Sequence, residues 1–175
     1  MRTITFLSVI MLILLSQGSC RPIEQLPDEP EIRFTSFAVF DTTDILGNSF
    51  KGGRLKFYFE DGNGDMGMKN PEEGESDTTN LFFTMFRKTG SSMVQVPEDD
   101  ALKPSGYRIP YMERTGRNKI LRGTISITFL YQFYNTESTD TIKYDFYLKD
   151  RADNQSNSVS TPEIALSVNG LYVNP

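Results

Sequence analysis

The chain has 175 residues, with 18 Lys and Arg against 23 Asp and Glu, one Cys, no His and no Trp. The net charge of −5 argues against a nucleic-acid-binding protein, because such proteins carry a basic surface that neutralises phosphates. The absence of His and of a Cys pair excludes Ser–His–Asp and Cys–His catalysis, His-ligated zinc sites and an intramolecular disulfide.

The first twenty residues predict an export signal. An apolar run from Ile4 to Leu15 follows the basic Arg2 and ends in small and polar residues. The run is too short to span a bilayer core of about 30 Å, which favours a secretory signal over a membrane helix. Cys20 closes the segment, which therefore resembles a bacterial lipoprotein signal cut before a lipid-modified cysteine. The resemblance implies a signal peptide over residues 1–19 and a lipid anchor on Cys20; the alternative is a soluble periplasmic protein with an unpaired thiol.

Residues 20–30 predict a tether. The stretch from Cys20 to Glu31, both ends included, contains three prolines and four acidic residues. Such a segment cannot bury enough apolar surface to fold, so we expect it to be stiff and solvated. With the anchor on Cys20, the tether would hold the remaining domain, residues 31–175, on the outer membrane, at its periplasmic or its cell-surface face.

From residue 31 onward, apolar and polar residues alternate with a period of two. Because successive side chains of a strand point to opposite faces, each such run has one buried face. Seven or eight strands separated by turn signals, in about 145 residues, predict an all-β antiparallel sandwich or barrel. The clearest runs are 31–37, 55–60, 81–86, 121–133, 142–149 and 164–168, and shorter strands are expected at 93–96 and 107–112.

Three segments carry a family resemblance. Residues 57–68, 106–127 and 140–164 resemble, in order and spacing, a group of small lipoproteins from Bacteroidetes-type bacteria. The last segment also resembles the closing hairpin of bacterial immunoglobulin-like domains, where an Asp-Arg-Ala-Gly-Asn turn ends a strand; Asp153 stands here in place of the glycine. The resemblance implies a surface-attached, immunoglobulin-like (Greek key) β-sandwich that acts in adhesion, and it assigns no catalytic or binding residue.

The sharpest local signal is the loop that contains Asp61, Asn63 and Asp65. Oxygen-bearing side chains at alternate positions, separated by glycines, are ligands that Ca²⁺ prefers. Counted from Asp61, Glu72 falls at position 12, as in an EF-hand, but Met66 replaces the glycine expected at position 6. The sequence therefore predicts either a calcium-stabilised loop or a plain hairpin loop that uses the same residues for their turn conformations.

A second oxygen-rich loop follows the strand at 142–149 and contains Asp150, Asp153, Asn154 and Asn157. It would complete a cation site with the first loop if both loops lay at the same end of the sandwich. Otherwise, these side chains would cap the last hairpin as Asx turns.

Aromatic residues suggest a second kind of binding surface. Tyr134 and Tyr147 occupy positions on the polar face of their alternating runs. We therefore expect exposed rings that could bind a sugar or a protein. The apolar face of these runs carries three further aromatic residues, Tyr131, Phe133 and Tyr144. The alternation predicts that they belong to the core.

The sequence predicts a binding protein rather than an enzyme. Glu72 and Glu73, like Asp99 and Asp100, are adjacent and would point apart in an extended chain, whereas glycosidase carboxylates straddle a bond about 5–9 Å apart. We therefore predict a non-enzymatic, surface-anchored module for adhesion or cell-envelope interaction. The alternative is a glycan-binding accessory protein of a polysaccharide uptake system. The membrane is the expected partner through the lipid anchor, and the protein or glycan partner stays open.

Overall fold

The computed structural model describes residues 25–72, 79–113, 119–132, 134–135 and 140–174. This part of the chain contains nine strands and no helix, which confirms the all-β prediction. All pairings between the named strands are antiparallel. The strands are β1 (Glu31–Thr43), β2 (Ser49–Asp61), β3 (Leu81–Thr89), β4 (Ser92–Gln95), β5 (Leu121–Tyr131), β6 (Thr141–Leu148), β7 (Val159–Ser160), β8 (Ile164–Ala165) and β9 (Gly170–Tyr172).

The strands form two sheets. Sheet I has the order β5-β2-β1-β9, and sheet II has the order β4-β3-β6-β7, with β8 also paired to β6. In sheet I, β1 and β2 form a long hairpin that pairs Glu31 with Glu60 at one end and Thr43 with Ser49 at the other. The chain therefore enters β1 at the end of sheet I where β2 finishes, with Asp61 as its last residue.

The core lies between the two sheets and is rich in aromatic side chains. Phe57 and Phe146 face each other across it, with ring centroids 5.3 Å apart, and Phe83 meets Phe129 edge-on at 5.4 Å. Edge-on and tilted ring pairs of this kind add to the stabilisation from burial. The period-two pattern correctly predicts these inward-facing residues.

Several predicted strands need correction. Residues 107–112 do not form a strand and make only two isolated bridges, Met68 to Pro110 and Leu81 to Tyr107. Pro110 has no N–H to donate to a ladder, which limits pairing there. The run at 121–133 ends as a strand at Tyr131, and the run at 164–168 ends at Ala165. The described residues contain nine strands instead of the predicted seven or eight. The difference arises because β7, β8 and β9 are only two or three residues long, too short to show a period of two.

The last residues of the expected tether touch the folded domain. The carbonyl of Pro27 accepts a hydrogen bond from the Gly62 N–H at 3.1 Å, and Pro30 is buried. A side chain at position 62 would lie 2.3 Å from the Leu26 and Pro27 carbonyl oxygens, so only glycine permits this contact. Residues 25–30 are therefore not fully solvated. The signal peptide and Cys20 lie outside the described residues. Within those residues, no helix is long and apolar enough to cross a membrane.

Candidate functional site

The loop that follows β2 is fixed by packing. Met66 is fully buried and anchors the loop in the core. At Gly67, which has a φ of 80°, a side chain would lie 2.1 Å from the Pro110 carbonyl oxygen. The next residue, Met68, donates its N–H to the carbonyl of Ile109 at 2.8 Å. These contacts explain why Met66 and Gly67 depart from the EF-hand order, and they hold the preceding acidic residues in place.

Asp61 is the most unusual residue of this loop. Its side chain is only 1% exposed, and neither carboxylate oxygen accepts a hydrogen bond within the described residues. Burial raises the pKa of Asp61, and the charge of Asp65 raises this pKa further. The nearby N–H groups of Asn63, Gly64 and Asp65 act in the opposite direction, although none reaches hydrogen-bond geometry. An ionised carboxylate in this position is costly without a partner.

Asp65 lies between Asp61 and the second oxygen-rich loop. Burial raises its pKa, as do the charge of Asp150 and a hydrogen-bonding contact with it, while Arg151 lowers it. Its Oδ1 is buried without a hydrogen-bond partner, and its N–H donates to Asn63 Oδ1 at 3.1 Å. The Arg151 N–H donates to the Asp65 carbonyl at 3.2 Å. The fold therefore places the two oxygen-rich loops at the same end of the molecule.

Only one residue of the second loop joins the carboxylate cluster. Asp150 is fully buried, and its two oxygens accept hydrogen bonds from the N–H and the side-chain amide of Asn154, both at 2.8 Å. Asp153 instead pairs with Lys149 at the surface. Asn157 binds both the N–H and the carbonyl of Ile32 in β1. Asp61, Asp65 and Asp150 thus form the cluster, while the other three side chains have structural partners.

Arg151 is the cation of this site, and the sequence analysis missed it. Its guanidinium donates to the carbonyls of Met66 and Gly67 at 2.8 and 3.0 Å and lies 4.6 Å from the centre of the Tyr111 ring. Its position next to Asp150 in the Asp-Arg-Ala-Asp-Asn turn was the available signal. When Asp61, Asp65 and Asp150 are all ionised, their three charges against the charge of Arg151 leave a formal charge of −2. In the described residues, no three His, Cys, Asp or Glu side chains are already placed to hold a metal ion together.

The two predicted surface tyrosines differ. Tyr134 is 8% exposed and belongs to the core, so the prediction of an exposed ring is wrong. The alternation of buried and exposed side chains does not extend to Tyr134, because β5 ends at Tyr131 and the chain turns there. The Tyr134 N–H donates a hydrogen bond to the Tyr131 carbonyl. Tyr147 is half-buried on the outer face of sheet II, where its ring stacks on Phe82 with centroids 5.1 Å apart.

A cleft of about 430 Å³ lies next to this stacked pair. Phe82 lines the cleft together with Glu98, Lys103 and Ser105, and Lys103 forms an ion pair with Glu98. The cleft therefore combines an aromatic ring with charged and hydroxyl groups, a combination that suits a polar ligand with apolar faces.

The tip of the β1–β2 hairpin carries a third feature that the sequence analysis missed. Ile45 is fully exposed and Leu46 is 81% exposed. The turn beneath them is hydrogen-bonded: Asp44 accepts hydrogen bonds from the N–H groups of Leu46 and Asn48, and from the Asn48 side-chain amide, at 2.8–2.9 Å. The available signal was a pair of large aliphatic residues between an Asp and a Gly-Asn turn.

Comparison of the chain with protein-family models, with curated proteins and with solved structures finds no match. The described residues thus offer three candidate functional features: the carboxylate cluster, the aromatic cleft and the hairpin tip.

Proposed function

We propose that the protein is a non-enzymatic, surface-anchored lipoprotein whose immunoglobulin-like β-sandwich acts in adhesion or cell-envelope interaction. The hairpin tip is the observation that carries this proposal. Contiguous exposed apolar side chains, unlike single ones, mark interaction sites, and Ile45 and Leu46 are neighbours on one turn. Burying one such side chain against a partner contributes about 1.5–3 kcal/mol. The Asp44 hydrogen bonds fix the turn in advance, which lowers the entropy cost of binding.

The position of the tip supports the same proposal. The tether leads into Glu31 at one end of β1, and the tip follows Thr43 at the other end. Thirteen residues of strand separate these ends by about 40 Å at 3.3 Å per residue. A lipid anchor on Cys20 would therefore hold the tip away from the membrane and towards a partner.

The test is an adhesion assay with the full chain displayed on cells. A double variant, Ile45→Ser with Leu46→Ser, should reduce attachment to partner surfaces at least tenfold without changing the melting temperature, because these side chains make no core contacts. Val94→Ser is the matched control, since Val94 is another exposed aliphatic residue, on β4. Attachment that is unchanged by the double variant would refute the role of the tip, and retention of the Cys20→Ser variant in the membrane fraction would refute the anchor.

The aromatic cleft supports the second candidate, a glycan-binding accessory protein of a polysaccharide uptake system. Sugars stack on aromatic rings and bind charged and hydroxyl groups, which the Phe82 cleft brings together. Affinity electrophoresis of the full chain in a panel of polysaccharides tests this candidate. Phe82→Ala should abolish any retardation, whereas the hairpin-tip variant should leave it unchanged. Retardation that Phe82→Ala does not affect would exclude the cleft as the glycan site.

A further inference from the structure

A buried carboxylate without a partner points to a ligand that the protein itself does not provide. Asp61 is 1% exposed, and neither of its oxygens accepts a hydrogen bond within the described residues. One buried oxygen of Asp65 also has no hydrogen-bond partner. Buried charges in proteins are paired, or they coordinate metals. The charges that act on these two residues include carboxylates of the same sign, because Asp65 acts on Asp61 and Asp150 acts on Asp65.

The charge of the cluster matches a divalent cation. When all three are ionised, Asp61, Asp65 and Asp150 provide three negative charges, and Arg151 offsets one of them. Arg151 is also held elsewhere, by the carbonyls of Met66 and Gly67. It therefore cannot move to Asp61 without breaking those hydrogen bonds, and a formal charge of −2 is left for a ligand to balance.

The donor atoms favour calcium. The side chains of the cluster offer carboxylate oxygens, Asn63 adds an amide oxygen and the main chain adds carbonyl oxygens, while the chain contains no His. Calcium accepts six to eight such oxygens at 2.3–2.6 Å in flexible geometry, whereas magnesium requires an octahedron at 2.0–2.1 Å. Since no three acidic side chains are already placed around one point, the ion needs main-chain oxygens or a rotation of one carboxylate. A calcium site tolerates both adjustments.

We propose that Asp61, Asp65 and Asp150 bind one calcium ion that fastens the loop after β2 to the loop after β6. The site extends the predicted Asp61–Asn63–Asp65 motif with a ligand 85 residues further along the chain. It joins sheet I to sheet II at the end where the tether enters, because Gly62 in the same loop holds Pro27. Calcium would thus stabilise the end of the domain where residues 25–30 lead into β1, and this proposal does not depend on the proposed function.

The first test is isothermal titration calorimetry of the chelator-treated full chain with calcium chloride, and separately with magnesium chloride. We expect one calcium ion per chain and at least tenfold weaker binding of magnesium. Asp61→Asn and Asp150→Asn should each weaken calcium binding at least tenfold. Asp153→Asn is the matched control, because Asp153 lies in the same loop with its side chain at the surface, and Asn tolerates its φ of 66°.

The second test is thermal melting of the same proteins in chelator and in millimolar calcium. In chelator, Asp61→Asn should melt at a higher temperature than the wild type, because it removes a buried charge and its repulsion from Asp65. In calcium, the wild type and Asp153→Asn should gain several degrees, and Asp61→Asn should gain none. A cooperative melt of Asp61→Asn in chelator shows that its lost response is not a failure to fold.

Three results would overturn the proposal. One is the absence of both binding heat and a melting shift in the wild type. Another is a calcium shift that survives Asp61→Asn. The last is wild-type affinity in Asp150→Asn, which would confine the ion to the first loop and remove the link between the two sheets.

Discussion

Two turns at different places in the molecule share one hydrogen-bond pattern. In the hairpin tip, Asp44 accepts hydrogen bonds from the N–H and the side-chain amide of Asn48; in the loop after β6, Asp150 accepts the same two from Asn154. In both turns, the Asp N–H also donates to the Asn carbonyl, at 3.0 and 3.1 Å. The sequence Asp-x-x-x-Asn therefore builds the same local structure twice.

The surroundings make the two turns different. The tip turn projects into solvent and exposes its two aliphatic residues, whereas Asp150 is fully buried beside Asp65. The fourth residue is left-handed in both, but it is Gly47 in one and Asp153 in the other. Local hydrogen bonding thus determines the shape of the turn, and the position in the sheets determines whether its carboxylate is a surface cap or a potential ligand. From the sequence alone, an Asx turn and a cation site are alternatives for the second loop. At Asp150 the two interpretations are compatible.

The largest expected difference between the turns is the effect of removing the asparagine side chain. Asn154→Ala takes a donor from a buried carboxylate oxygen, which should destabilise the protein by about 2 kcal/mol, since hydrogen bonds to charged groups contribute about 1.5–3 kcal/mol. Asn48→Ala should cost less than about 1 kcal/mol, because water replaces the lost donor at the surface. Urea unfolding of the full chain in chelator measures both values.

Equal costs for the two variants would contradict this comparison. Chelator is essential to the measurement, because calcium bound near Asp150 would add its own stabilisation. Melting of Asn48→Ala also serves as the control for general effects of truncating an asparagine in such a turn.

The strands of the core were predictable from the sequence because burial of one sheet face imposes a period of two. Phe57 and Phe146 are separated by 89 positions, yet both stand on the apolar parity of their runs and meet across the core. The rule fails where strands end. Tyr134 occupies a polar-face position in the sequence pattern, but it follows a turn and its side chain is buried. Strands β7 and β8 are two residues long and show no periodicity.

The candidate sites were only partly predictable for a different reason. Asp61, Asn63 and Asp65 stand at alternate positions of one short loop, so their spacing alone suggests a cation loop beside the plain hairpin. Asp150 joins them through the packing of the two sheets, which no local pattern encodes. Exposure of Ile45 and Leu46 was missed because apolar residues are assigned to the core by default. Whether such residues lie beyond the end of a sheet depends on where the hairpin turns.

A smaller expected difference lies at the left-handed residue. Gly47→Asp should destabilise the protein by about 1 kcal/mol, because a left-handed conformation costs an L-residue about 1–2 kcal/mol. Apart from its two chain neighbours, no described residue has an atom within 4 Å of a Cβ at this position, so the cost comes from the backbone conformation and not from a clash with the rest of the fold. Asp153→Gly should instead stabilise by less than about 1 kcal/mol, since the greater unfolded-state freedom of glycine and the loss of the surface ion pair with Lys149 offset part of the gain. Thermal unfolding in chelator measures whether Gly47→Asp lowers and Asp153→Gly raises the stability. A Gly47→Asp variant that is more stable than the wild type would contradict this prediction.

The smallest effect is local and concerns the charge of Asp44. The hydrogen bond from the Asn48 side-chain amide, followed by that from the Asn48 N–H, holds the pKa of Asp44 below its ordinary value of 3.8. A lowered pKa means that the stabilisation is complete above pH 3.8 and is lost as the pH falls through the lower, folded-state pKa. In NMR spectra, the amide signals of Leu46 and Asn48 should therefore shift below pH 3.8, while signals from the core stay in place. Asn48→Ala should raise the pKa of Asp44 towards 3.8, and Asn154→Ala, at the equivalent position of the other turn, should leave it unchanged. An Asp44 that titrates at or above 3.8 in the wild type would show that the asparagine does not stabilise the carboxylate of the hairpin tip.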